Sequence, residues 1–136
     1  MRTILQSPAH HRPSILNVTA THSPTRSHFD VLIIGSGNMV HNLRMVAWDK
    51  LDVPEYGFDW ALQMNNMFKE LIGNKTHDKL INYSLLGKEA QLSIPTPEHY
   101  LPLIYSLGLK QQGETISLFN DKLLAGSLSM TSLKIA

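Results

Sequence analysis

The sequence has no cysteine among its 136 residues. That excludes disulfides, zinc fingers and thiolate nucleophiles, and it suits a reducing compartment, so a cytoplasmic location is expected. Charge of one sign is also missing: 12 Lys+Arg against 11 Asp+Glu leave a net +1. A general nucleic-acid binder normally shows a basic face, so nucleic acid is not an expected partner. No apolar run approaches the roughly 18 residues of a membrane span, so no membrane is expected either. The glycine-rich phosphate cradles are incomplete. Gly35-Ser36-Gly37 opens like a dinucleotide fingerprint, but Val40 stands where the third glycine belongs, and no Gly-Lys-Ser/Thr follows to make a P-loop.

What is present divides the chain in two. Residues 1–28 hold Arg2, Arg12 and Arg26, no acidic residue, and the histidines His10, His11, His22 and His28. Pro8, Pro13 and Pro24 interrupt any helix, including the amphipathic helix of a transit peptide. No apolar period persists, and the stretch reads as a disordered tail. His10 and His11 are adjacent and project in different directions, which argues against a metal pair.

Residues 29–136 read as α/β, with a mixed, largely parallel sheet flanked by helices. The run Val31-Leu-Ile-Ile34, ended by Gly35, is short and β-branched and predicts a buried strand. A helix over 39–47 and a Pro54-containing loop over 52–57 follow. Trp60, Ala61, Met64, Phe68, Leu71 and Ile72 recur at helical spacing up to Gly73, predicting an amphipathic helix over 60–72. Further helices are expected over 77–86 and 98–107, and strands over 115–119 and 127–135, separated by Asn120-Asp121 and Gly126.

Three places could carry chemistry. Gly35 and Gly37 after the first strand let the backbone turn and leave room for a ligand, and ligands in open α/β sheets favour such strand ends. His41 falls just beyond. It is either a general base, with an ordinary pKa near neutrality, or a histidine that caps or packs against the sheet. In Pro95-Thr96-Pro97-Glu98-His99-Tyr100, Thr96 reads as an N-cap and Pro97 as the first helical residue. Glu98 then complements the helix dipole, and His99 on a rigid helix start is a candidate metal ligand. The aromatics Trp48, Tyr56, Phe58 and Trp60 form either core or the wall of an apolar pocket for a planar ring.

The stretch from Val31 to Arg44 resembles the block around the active-site histidine of the class III extradiol ring-cleavage dioxygenases (the LigB-type superfamily), in their 4,5-DOPA dioxygenase branch. Pro95-Thr-Pro-Glu-His-Tyr-Leu-Pro-Leu103 resembles that branch's second carboxyl-side block, and Ser129-Met-Thr-Ser-Leu-Lys-Ile135 its C-terminal strand. The resemblance covers 29–136 and implies the carboxyl-terminal portion of a catalytic domain, its sheet incomplete relative to the full domain. It implies opening of a DOPA-like catechol by O2 at non-haem Fe(II), with Zn(II) in some isolated proteins. His41 would be the acid/base histidine and His99 a metal ligand, with Glu98 the alternative to His99. A portion standing alone would be weakly active or inactive, or would serve as a non-catalytic remnant or a small-ligand or metal-binding fragment. An exposed sheet edge would favour self-association. Finally, His41 and His99 should converge on one cleft although 58 positions separate them.

Overall fold

The computed structural model describes residues 32–136. The expectations for the tail 1–28, and for Val31, lie outside the described residues. Four helices come first: α1 (Asp59–Gly73), α2 (His77–Ile81), α3 (Lys88–Ser93) and α4 (Leu101–Leu109). Four strands follow: β1 (Ile116–Phe119), β2 (Leu123–Leu124), β3 (Leu128–Ser129) and β4 (Ser132–Ile135). The fold is mixed α and β, as expected, and α1 is the helix read from the sequence. No described helix is long and apolar enough to cross a membrane.

Helix α1 organises the core because its apolar residues share one stripe. Ala61, Met64, Phe68, Leu71 and Ile72 are all buried. Leu80 of α2, Ala90 of α3, Leu107 of α4, and Met39, Val40, Ile94, Tyr100 and Leu123 complete the cluster. Tyr100 is only 1% exposed and packs against Phe68 and Tyr83, with ring centroids 5.5 and 5.1 Å away. Its hydroxyl donates to the Leu80 carbonyl at 3.0 Å, so its polar end is satisfied inside the core. Burial pushes that phenol well above its ordinary pKa and keeps it neutral.

Gly73 was read as the stop of α1, but open space surrounds it. The helix does end at Gly73, with Asn74 as its C-cap, and the closing turn falls two residues beyond. Lys75 adopts φ +57°, its amide donates to the Ile72 carbonyl at 3.2 Å, and the Thr76 amide donates to Leu71 at 3.0 Å. This is a Schellman closure with lysine at the left-handed position that usually holds glycine.

The sheet differs from expectation. Both strand pairs are antiparallel, not parallel. The run Leu32–Ile34 joins no strand among the described residues, and its three side chains are 84%, 55% and 81% exposed. A strand buried on both faces needs elements above and below it, and none of the described elements covers this run. The helix expected over 39–47 is absent as well. Residues 39–40 bend, His41 forms an isolated antiparallel bridge with Leu128, and a single 3-10 turn spans Leu43–Met45. The helix expected over 77–86 splits into α2 and a 3-10 turn, Tyr83–Leu86; α3 was not foreseen.

The carboxyl-terminal strands form one hairpin with an irregularity. Phe119 pairs with Ser132, and Leu123 with Ser129. Three residues, Asn120 to Lys122, thus oppose two, Met130 and Thr131. The extra residue is a β-bulge, with Asn120 at φ +49°. Asn120-Asp121 therefore interrupts a continuing hairpin instead of separating two strands. The bulge turns Asp121 toward α1, where Lys69 and the buried Asn65 donate to its carboxylate and the Thr131 hydroxyl donates at 2.9 Å. At the inner turn Gly126 has φ +84°, and a Cβ there would lie 2.4 Å from the Phe58 ring, so only glycine fits. Phe58 and Trp60 pack on the core, Tyr56 lies edge-on to Phe58 at 5.8 Å, and Trp48 stands apart, 67% exposed.

Two outcomes follow from these contacts. Lys75→Gly relieves a left-handed conformation without losing a core contact and should raise stability by about 1 kcal/mol in urea denaturation. At Asp121, burial alone would raise the carboxyl pKa. The hydrogen bonds from Lys69, Thr131 and Asn65, with the Lys69 charge, outweigh burial and hold it below its ordinary value. A depressed carboxylate pKa stabilises the fold above the unfolded pKa of about 3.9, and that contribution disappears as pH falls through the folded value. Wild-type stability should therefore fall more steeply on acidification from about pH 5 to about pH 2 than that of Asp121→Asn. The difference should shrink in high salt, since the side chain is 40% exposed.

Candidate functional site

His41 is held by backbone on three sides. The amides of Met39 and Val40 both donate to the Ser129 hydroxyl, at 3.1 and 3.0 Å, and the Ser129 amide returns a bond to the Val40 carbonyl at 2.9 Å. The His41 amide donates to the Ser93 carbonyl at 2.8 Å, and the Asn42 side-chain amide donates to Leu92 at 2.8 Å. Both acceptors lie in the last turn of α3, where helical carbonyls have no partner within the helix. On the far side the Asn42 amide donates to Ser127 at 3.1 Å, and the Ser127 hydroxyl donates back to the Asn42 carbonyl at 2.8 Å. His41 thus sits in an irregular crossing between α3 and β3, not one turn into a helix. Its expected position at a helix start is corrected accordingly.

His99 is placed by its neighbour. The amides of Tyr100 and Leu101 both donate to the Pro97 carbonyl at 2.9 Å, closing a turn that precedes α4. Buried Tyr100 anchors this turn in the core and leaves Glu98 and His99 exposed. The helix begins three residues later than expected, with Tyr100 as N-cap and Pro102 in the first turn. Thr96 and Pro97 are therefore not its cap and first residue, and Glu98 precedes the helix instead of lying in its first turn. Thr96 still matters to Glu98: its hydrogen bond, then the backbone, holds the Glu98 carboxyl below its ordinary value.

The two blocks meet. Gly37 lies so close to His99 that a Cβ there would come within 2.1 Å of the His99 carbonyl oxygen, and the Asn38 amide donates to that oxygen at 2.8 Å. The glycine makes room for the backbone of the second block, where the sequence suggested room for a ligand. The imidazoles of His41 and His99 stack with centroids 3.8 Å apart and planes inclined by 18°. Residues 58 positions apart in sequence therefore form one paired-imidazole surface. Partial burial of His41 lowers its pKa, the neighbouring His99 lowers it further, and a backbone hydrogen bond opposes both. The lowering favours the uncharged form of the His41 imidazole.

The surface offers imidazole nitrogens and, beside them, the Glu98 carboxylate. These suit proton transfer or a divalent cation. Among the described residues, however, no group of three or more His, Asp or Glu side chains is arranged to hold a metal ion. Sequence reasoning missed the supporting serines. Ser93, Ser127 and Ser129 are fully buried. The alternation of Ser127 and Ser129 with apolar Leu128 and Met130 was the available signal, since a polar residue on an inward face must have a partner there.

Gly37→Ala should push the His99 backbone away and cost about 1–3 kcal/mol as an overpacking change. Urea denaturation measures the loss, and faster hydrogen exchange at the Asn38 amide should accompany it. An unchanged midpoint would mean that the two blocks do not touch at this point.

No protein-family model matches the chain. It is 40% identical over 108 residues to a curated protein of Escherichia coli K12 named 4,5-DOPA dioxygenase extradiol; the match takes in 77% of this chain. The chain spans only 38% of that relative's length. Among solved structures it is similar to that of an uncharacterized protein from Escherichia coli K12, with a TM-score of 0.61 and 40% identity, covering 72% of this chain and 40% of the other. Sequence similarity thus points to the extradiol dioxygenases, over about two-fifths of the relative's length.

Proposed function

We propose that the chain carries one face of an extradiol ring-cleavage site, which opens small, DOPA-like catechols with O2. The observation that carries this reading is the 3.8 Å stacking of His41 on His99, each supplied by a different sequence block. The similarity to a named extradiol dioxygenase supports it.

In this reading His41 is the acid/base residue. Its uncharged ring accepts the proton of a catechol hydroxyl lying within hydrogen-bond reach, and the crossing between α3 and β3 keeps it from swinging away. Exposed His99 is the metal ligand, with Glu98 the alternative beside it. The cation is Fe(II), or Zn(II) in the isolated protein; once bound it lowers the pKa of a coordinated hydroxyl. The donor chemistry fits such an ion, but the described residues do not by themselves complete a metal site. That shortfall favours a second reading, a fragment that binds metal or a small catechol without turnover.

Titration with Zn(II), and with Fe(II) under anaerobic conditions, tests the assignment. Weak binding is expected, reduced at least about tenfold in His99→Ala and retained in His41→Ala. Equal affinities in wild type and His99→Ala would remove His99 from the site. Oxygen uptake on adding a catechol to the Fe(II)-treated chain separates the two readings. Uptake that falls about 10²- to 10⁴-fold in His41→Ala supports the dioxygenase, and binding without uptake supports the second reading.

A further inference from the structure

Ser129 does more for the segment before His41 than strand pairing requires. A β-ladder joins backbone to backbone. Here one side-chain hydroxyl also accepts two consecutive amides, Met39 at 3.1 Å and Val40 at 3.0 Å. The Ser129 amide donates to the Val40 carbonyl at 2.9 Å, and its carbonyl accepts the Asn38 side chain. Asn38 in turn donates its backbone amide to the His99 carbonyl. One fully buried residue is thus tied to the three residues before His41, and through Asn38 to His99 itself.

We propose that Ser129 is a positioning residue of the paired-imidazole site. Two consecutive amides aimed at one oxygen fix the direction in which the chain leaves Val40, and that direction sets which face of His41 meets His99. The proposal deepens the reading of His41 and His99 as one site and rests on it. Alanine would leave both amides unpaired in the interior, so the bend at 39–40 would open to find other partners. Buried Ser93 supplies the contrast: its hydroxyl has no hydrogen-bond partner among the described residues.

The test is NMR of the full chain, reading the shifts that the stacked rings impose on each other's protons. Ser129→Ala should lose these His41 and His99 shifts while the Phe68 and Tyr100 ring signals in the core stay in place. Ser129→Thr, which keeps the hydroxyl, should restore them. Ser93→Ala, which keeps the carbonyl that accepts the His41 amide and deletes only a hydroxyl without a partner among the described residues, should leave them as in wild type. Unchanged imidazole shifts in Ser129→Ala, or an equal disturbance in Ser93→Ala, would overturn the proposal. If Ser129→Ala does not fold, the near-isosteric Ser129→Cys decides: its weakly accepting sulfur should give partial loss, and unchanged rings would overturn the role. Zinc titration of the same variants separates this proposal from the functional reading. If wild type binds no zinc but the shifts still vanish in Ser129→Ala, the metal-ligand assignment fails and the positioning role stands.

Discussion

An irregular segment can enter a protein interior only if its backbone polar groups find partners there, and the amides of residues 38–42 all do so without regular secondary structure. The amides of Asn38, Met39, Val40, His41 and Asn42 donate in turn to His99, Ser129, Ser129, Ser93 and Ser127. These five bonds reach four parts of the chain: the turn before α4, strand β3 (twice), the end of α3 and the inner hairpin turn. The segment is the joint at which the helical and hairpin halves meet, and His41 lies within it. Helix α1 supplies the buried apolar surface behind this joint, and Tyr100 links that core to the turn carrying His99.

How much of this was legible depends on the range of the forces involved. Helix α1 was legible because its apolar stripe is a local pattern that tertiary packing reinforces. The exposed run Leu32–Ile34 misled because a β-branched apolar stretch states a demand for covering layers, and none of the described elements supplies them. The helix expected over 39–47 lost to long-range hydrogen bonds that its amides donate to serines about 50 to 90 positions further on. Gly73 does end the helix, but the left-handed closing residue is Lys75, whose strain is offset by the Schellman bonds to Leu71 and Ile72. The bulge at Asn120 was read as a turn because a left-handed asparagine serves either role locally, and only the pairing on both sides distinguishes them.

The site shows the same division. His41 and His99 were found as residues, because a histidine beside a glycine- or proline-shaped turn is visible in one dimension. Their setting was not. Gly37 read as space for a ligand is space for the His99 carbonyl, and the cap assigned to Thr96 and Pro97 belongs to Tyr100 three residues later. What survives is the pairing of two imidazoles on one surface, one half-buried with its pKa lowered, the other exposed. Under the proposed function the former takes the proton and the latter is the ligand.

The most direct test of this account is the proximity of the two rings in the wild-type protein. Nuclear Overhauser spectroscopy on histidine-labelled chain should give cross-peaks between the ring protons of His41 and His99, as a 3.8 Å centroid separation requires. Absence of those cross-peaks, with each imidazole at the shifts of an isolated, solvated histidine, would contradict the single site on which the functional reading depends.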